Sequence, residues 1–132
     1  MSRFFVAFGS LVLGLGVALG AFGAHGLKHL VNPEKATYYI DIWHTAVEYQ
    51  FLHGMALLIF AALADKICPR AYRWASIFSM IGMLIFSGSL YTIVLLDSPR
   101  VGMITPIGGV CLIASWFCFF IGTLLGKKQV LK

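Results

Sequence analysis

The chain is predicted to be an all-α membrane protein: four transmembrane helices in an up-down bundle, both termini cytoplasmic, forming a single domain over residues 1–132. Three observations predict this. Four apolar runs, roughly Phe4–Ala24, Trp43–Ala64, Tyr72–Leu96 and Val101–Leu125, fill most of the sequence and are separated only by short polar breaks. Each meets the requirement of ~20 apolar residues for a ~30 Å hydrocarbon core at 1.5 Å rise per residue. The composition is 60% hydrophobic and 11% charged, with mean hydropathy +0.89, which is more apolar surface than a soluble domain of this size could bury. Strand-like alternation is absent, which favours a bundle over a barrel.

The first run follows Arg3 and ends near a small-x-small triplet, Ala21-Phe22-Gly23, that resembles a signal-cleavage site. It is longer than the usual signal core of roughly 7–15 residues and is read as a span. A break over His25–Val31 leads to Asn32-Pro33-Glu34, where Asn suits an N-cap and Pro the first helical position, so helix two should begin well before its apolar run. Asp65–Arg70, with Pro69, forms the next turn, and Asp97-Ser98-Pro99-Arg100 the last. Thr105-Pro106 either kinks run four or caps a helix starting at Pro106.

A net charge of +5 invites a nucleic-acid reading, but the basic residues form no patch. They follow the membrane instead. Arg3, Lys66, Arg70, Arg73, Lys127, Lys128 and Lys132 fall on one side, against Lys28, Lys35 and Arg100 on the other, and this asymmetry places both termini in the cytoplasm. Cys68, Cys111 and Cys118 form no disulfide framework or Cys-x-x-Cys metal motif.

Inside lipid, helices associate through the close packing that small residues permit. Run four carries Gly108, Cys111, Ser115, Cys118 and Gly122 at alternating three- and four-residue spacing. Run one carries Gly9, Gly16, Gly20 and Gly23, and run three Ala75, Ser79, Gly82 and Ser89. These seams are expected to pack within the chain, with self-association as the alternative.

Polar residues within a span are costly unless paired, so they are the first functional suspects. On helix two, Tyr39, Ala46, Tyr49, Gln50 and His53 share one face, while Asp41, His44 and Glu48 lie roughly opposite. His53 lies ~15 Å below Trp43, near the bilayer midplane, and Glu48 only ~7 Å below it, one turn from His44. The plain expectation for His53 is a neutral imidazole bonded near Ser87 or Ser89; a ligand or proton-relay role is the sharper one. His25 and His29, at i and i+4, suit a metal only with a further ligand such as Asp41, His44 or Glu48. No hydrolytic elbow, His-Glu-x-x-His pair, phosphate loop or dinucleotide fingerprint occurs, so enzymatic activity is the weaker expectation.

Four segments read in order, Gly20-Ala21-Phe22-Gly23-Ala24-His25-Gly26, Thr45-Ala46-Val47-Glu48-Tyr49-Gln50 with His53, Phe86-Ser87-Gly88-Ser89-Leu90-Tyr91, and Ile104-Thr105-Pro106-Ile107-Gly108-Gly109, resemble the bacterial domain-of-unknown-function family 423. Its animal relatives are called transmembrane protein 256. The resemblance covers almost the whole chain and implies a small four-helix inner-membrane protein with no established activity. The family pattern falls on His25, Tyr49, Gln50, His53, Ser87, Gly88, Ser89, Tyr91, Thr105, Pro106, Gly108 and Gly109, and not clearly on His29 or His44. It favours a buried polar core in which His25, Gln50 and His53 join the Ser87–Ser89 and Thr105–Pro106 segments.

The candidate site is therefore His25, Glu48, Tyr49, Gln50, His53, Ser87, Ser89 and Thr105, with His25 and His53 the only metal candidates and no cofactor required. The leading expectation is a non-enzymatic structural or accessory protein whose partners are the bilayer and either a larger membrane complex or further copies of itself. A redox protein holding haem, metal or quinone on His25 and His53 is one alternative. Another is an oligomeric small-solute or proton transporter lined by Glu48 and His53, since four helices alone leave little room for a pore.

Overall fold

A computed structural model describes residues 2–126 and shows four long helices: α1 (Ser2–His25), α2 (Ala36–Ala62), α3 (Pro69–Leu96) and α4 (Thr105–Leu124). All four are long and apolar enough to cross a membrane, and no strand occurs among the described residues. Short 3₁₀ turns at Leu27–His29, Pro33–Lys35, Ala64–Lys66 and Pro99–Met103 link them. Asn32 Oδ1 accepts the Glu34 N–H at 2.9 Å, so Asn32 and Pro33 start the ascent into α2 as a 3₁₀ turn before the α-helix proper begins at Ala36. α3 opens with Pro69 in its first turn, where the missing N–H costs nothing, and closes on Asp97 in the left-handed conformation at φ 46°. α4 begins at Thr105 with Pro106 in its first turn, so the Thr-Pro pair starts a helix and kinks none.

Consecutive helices pack side by side. α2 and α3 form the central pair, α1 lies against α2 and α4 against α3, while α1 and α4 share no substantial contact. The small residues decide these faces. Gly23 of α1 gives its space to the Trp43 indole, whose Nε1 donates to the Leu19 carbonyl at 2.8 Å. A Cβ on Gly108 would stand 2.5 Å from the Phe86 backbone nitrogen, so α3 and α4 meet nearly backbone to backbone there. Further along the same seam Ser115 Oγ donates to the Ala75 carbonyl at 2.7 Å. The largest fully buried side chains, Trp43, Tyr39, Phe60, Leu27, Leu57 and Met83, fill the spaces left around these contacts.

This zigzag leaves two lateral grooves. One, of about 290 Å³, opens between α1 and α3 over Gln50. The other, of about 350 Å³, opens between α2 and α4 over Phe86 and holds His53 and Trp116 in its wall.

Candidate functional site

Gln50, on the buried face of α2, ties three helices together. The Val12 carbonyl of α1 can only accept, so the atom facing it at 2.7 Å is the amide Nε2, and Oε1 is left to accept the Tyr91 hydroxyl of α3 at 2.6 Å. The Tyr91 ring in turn lies 4.6 Å from the Trp43 ring, centroid to centroid, in an edge-on contact. One turn toward the start of α2, Ser87 Oγ donates to the Ala46 carbonyl at 2.7 Å. Ser89 bonds the Phe86 carbonyl at 2.9 Å and the Thr105 hydroxyl at 2.6 Å, fastening the start of α4 to α3.

His53 is 4% exposed and points into the bundle. Its Nδ1 lies 3.0 Å from the Tyr49 carbonyl, an acceptor, and its Nε2 lies 3.2 Å from Trp116 Nε1, whose N–H is a donor only. Those partners select the neutral tautomer with the proton on Nδ1, because Nε2 must then accept. The expected bond to Ser87 or Ser89 does not form, since both serines bond elsewhere and the histidine finds its partners on α2 itself and on α4. Tyr49 supplies that carbonyl, and its ring packs on Phe86 with centroids 4.4 Å apart.

Two of the candidate residues stand apart. His25 is exposed at the end of α1, on the side away from α2, because Gly16, Gly20 and Gly23 take the α2-facing positions. Glu48 is also exposed, on the face of α2 that α1 and α3 leave bare, and among the described residues no hydrogen bond or ion pair joins it to His44. Of the candidate residues, Gln50, His53, Ser87 and Ser89 are buried and Thr105 is half-buried beside them, while His25 lies outside this polar core. His25 and His53 are separated along the bundle, one at an end and one near the middle, and among the described residues no three His, Cys, Asp or Glu side chains gather as a metal site.

The structure adds partners that pattern reading passes over. Trp116 and Trp43 supply indole N–H donors in spans where every donor needs an acceptor, which is the signal that marks them. Where α2 begins and α3 ends, Lys35 Nζ donates to both Asp97 carboxylate oxygens, at 2.9 and 3.2 Å, and the Tyr39 hydroxyl donates to the same carboxylate. These donors, the tyrosine first and then the lysine, hold the Asp97 carboxyl below the ordinary carboxylate value.

Fold and site together define a small multi-span membrane protein whose buried polar side chains join its own helices. The chain belongs to the family described as "Protein of unknown function (DUF423)", whose model matches residues 19–109. It is 38% identical over 121 residues to the UPF0382 membrane protein SAB0533 of Staphylococcus aureus (strain bovine RF122 / ET3-1), covering 92% of this chain and 95% of that protein. It is 37% identical over 123 residues to the UPF0382 membrane protein YwdK of Bacillus subtilis (strain 168), covering 92% and 97%. To the UPF0382 inner membrane protein YgdD of Escherichia coli (strain K12) it is 33% identical over 128 residues, covering 97% and 95%. No solved structure matches it. The chain is thus an integral membrane protein of a family with no established activity.

Proposed function

We propose that this protein is a non-enzymatic structural or accessory component of the bacterial inner membrane, with both termini in the cytoplasm. One observation carries the reading: the polar side chains at the centre of the candidate site already have hydrogen-bond partners within the chain, several of them backbone carbonyls. Gln50 is occupied at both ends of its amide and His53 at both ring nitrogens, and Ser87, Ser89 and Thr105 each have a partner. In hydrocarbon such bonds add to helix packing, since no water competes for the groups. The orientation rests on charge. Arg3, Lys66, Arg70 and Arg73 lie at one end of the bundle and Lys28, Lys35 and Arg100 at the other; Lys127, Lys128 and Lys132, which widen the difference, lie outside the described residues.

Native mass spectrometry of the protein released in its own lipids tests the first part. A stoichiometric membrane partner of different sequence, with no haem, metal or quinone, is expected. A protein always without such a partner, or one carrying a cofactor that His53→Leu removes, refutes it. Impermeant maleimide on spheroplasts tests the second part: Lys28→Cys should label and Lys66→Cys should not, and the reverse pattern overturns the orientation.

A further inference from the structure

The face of α2 turned away from the rest of the bundle is unlike the other lipid-facing surfaces. On α4 the exposed large side chains, among them Ile107, Val110, Ile113, Phe117, Phe120, Ile121 and Leu124, are apolar or, at Trp116, aromatic, which is what hydrocarbon asks for. On α2 the exposed stripe reads Asp41, His44, Glu48, Leu52, Met55 and Ile59, with Leu52 53% and Met55 49% exposed. Its steps are three, four, four, three and four residues, the spacing of a helix-pairing seam. α1, α3 and α4 all pack elsewhere on α2, through residues such as Phe51, Gly54, Ala46, His53 and Phe60.

The depth of the polar half follows from the hydrogen bonds. Thr105 opens α4, whose 20 residues span ~30 Å, so Thr105 marks the edge of the hydrocarbon. Ser89 is bonded to Thr105, and Ser87, two residues deeper on α3, is bonded to Ala46 of α2. Glu48 lies two residues deeper again, which puts it ~6 Å inside that edge at 1.5 Å per residue. A carboxylate bare to lipid at that depth, beside an imidazole that has no partner among the described residues, is a costly arrangement for an isolated chain.

We infer that this face of α2 is the contact between two copies of the chain. The donor–acceptor pattern argues for a second copy over a different partner, because His44 offers a donor and Glu48 an acceptor on each copy, while Asp41, seven residues nearer the start of α2, lies ~10 Å above Glu48 and outside the hydrocarbon. Two chains with the same membrane orientation are related by a two-fold axis along the membrane normal, so α2 meets the partner copy's α2 in parallel. A two-fold contact is made twice, so His44 reaching Glu48 of the partner subunit also brings Glu48 to the partner subunit's His44. The imidazole N–H donates and the carboxylate accepts, shielding both polar pairs from lipid. Below them Leu52, Met55 and Ile59 meet their counterparts as apolar layers of the same seam. The α2 face thus combines a polar register at one end with apolar packing over the rest, the use of isolated polar positions best attested in helix pairs.

The test is disulfide cross-linking of the full chain in its native membrane, in a background with Cys68, Cys111 and Cys118 replaced by Ala. Disulfides form only where Cα atoms approach within roughly 7 Å, so Leu52→Cys and Met55→Cys should give about tenfold more dimer than Val110→Cys, on the side of α4 away from the groove it shares with α2. Charge exchange then reads the pairing itself. With the Leu52→Cys reporter, His44→Glu alone and Glu48→His alone should each lower the dimer fraction about tenfold, and the double exchange should restore it. The side chains exchanged on α2 and α4 are exposed in the single chain, and the half-buried cysteines lose only a sulfur on replacement by Ala, so the cysteine-free background with each exchange is compared with that background alone. Equal cross-linking at Val110→Cys, no cross-link at either α2 site, or a double exchange no better than the singles overturns the inference and leaves Glu48 reaching the interface alone.

Discussion

Gln50 is the side chain whose removal should cost the bundle most for its size. In Gln50→Leu the volume is nearly kept, but two inter-helix bonds disappear, one to the Val12 carbonyl and one from the Tyr91 hydroxyl. Val12 keeps its place in the α1 ladder, so the orphaned group is the tyrosine hydroxyl. An inter-helix hydrogen bond in a membrane is worth about 0.6 kcal/mol on average and about 1.7 at most. Two of them, with a hydroxyl left unsatisfied in a half-buried setting, give an expected loss of about 1–3 kcal/mol. Tyr91→Phe removes one bond and should cost about 0.5–1.5 kcal/mol. The double variant leaves no orphaned hydroxyl, so it should be less destabilised than the two single losses added together, by at least about 0.5 kcal/mol. Reversible unfolding in mixed detergent, followed by helical circular dichroism, measures all three. Strict additivity refutes the coupling on which the reading of the polar core depends.

Three further outcomes follow from the geometry. Gly108→Ala drives a Cβ to 2.5 Å from the Phe86 backbone and should cost about 1–3 kcal/mol in the same assay, whereas Gly88→Ala meets nothing within 4 Å and should stabilise α3 by about 0.5–1 kcal/mol. Asp97 carries a lowered pKa in the folded state, so its contribution is present above the ordinary carboxylate value and fades as pH falls through the folded one. Asp97→Asn, which tolerates the left-handed cap, should remove that acid-side dependence from the unfolding midpoint. His53→Leu deprives Trp116 Nε1 of its acceptor and should shift tryptophan emission to the blue, while Trp43→Phe, Trp74→Phe controls assign the change to Trp116.

How legible the molecule was in its sequence varies by level. The four spans, their order and the Asn32 cap could be read directly, because a ~30 Å apolar slab leaves only helices of fixed minimum length and the breaks are marked by Pro, Asn and charge; Pro69 reads only as part of a turn and Thr105-Pro106 as either a kink or a cap, and the structure places both prolines in the first turn of a helix. The inward face of α2 was legible for the same reason: a 3.6-residue period sorts Gln50 and His53 from Glu48 without any knowledge of neighbours. What each inward residue touches was not. His53 bonds Trp116, 63 residues away, and Gln50 bonds Val12 and Tyr91, because hydrogen bonds between helices depend on rotation and height, which no local pattern carries. His25 shows the limit most clearly. Segment order suggested a place in the core, but the glycines of α1 had taken the side facing α2, and the histidine turns outward. Periodicity therefore determined which side of a helix is buried, and only tertiary packing decided which buried groups meet, since that choice is made by the shapes of two surfaces pressed together.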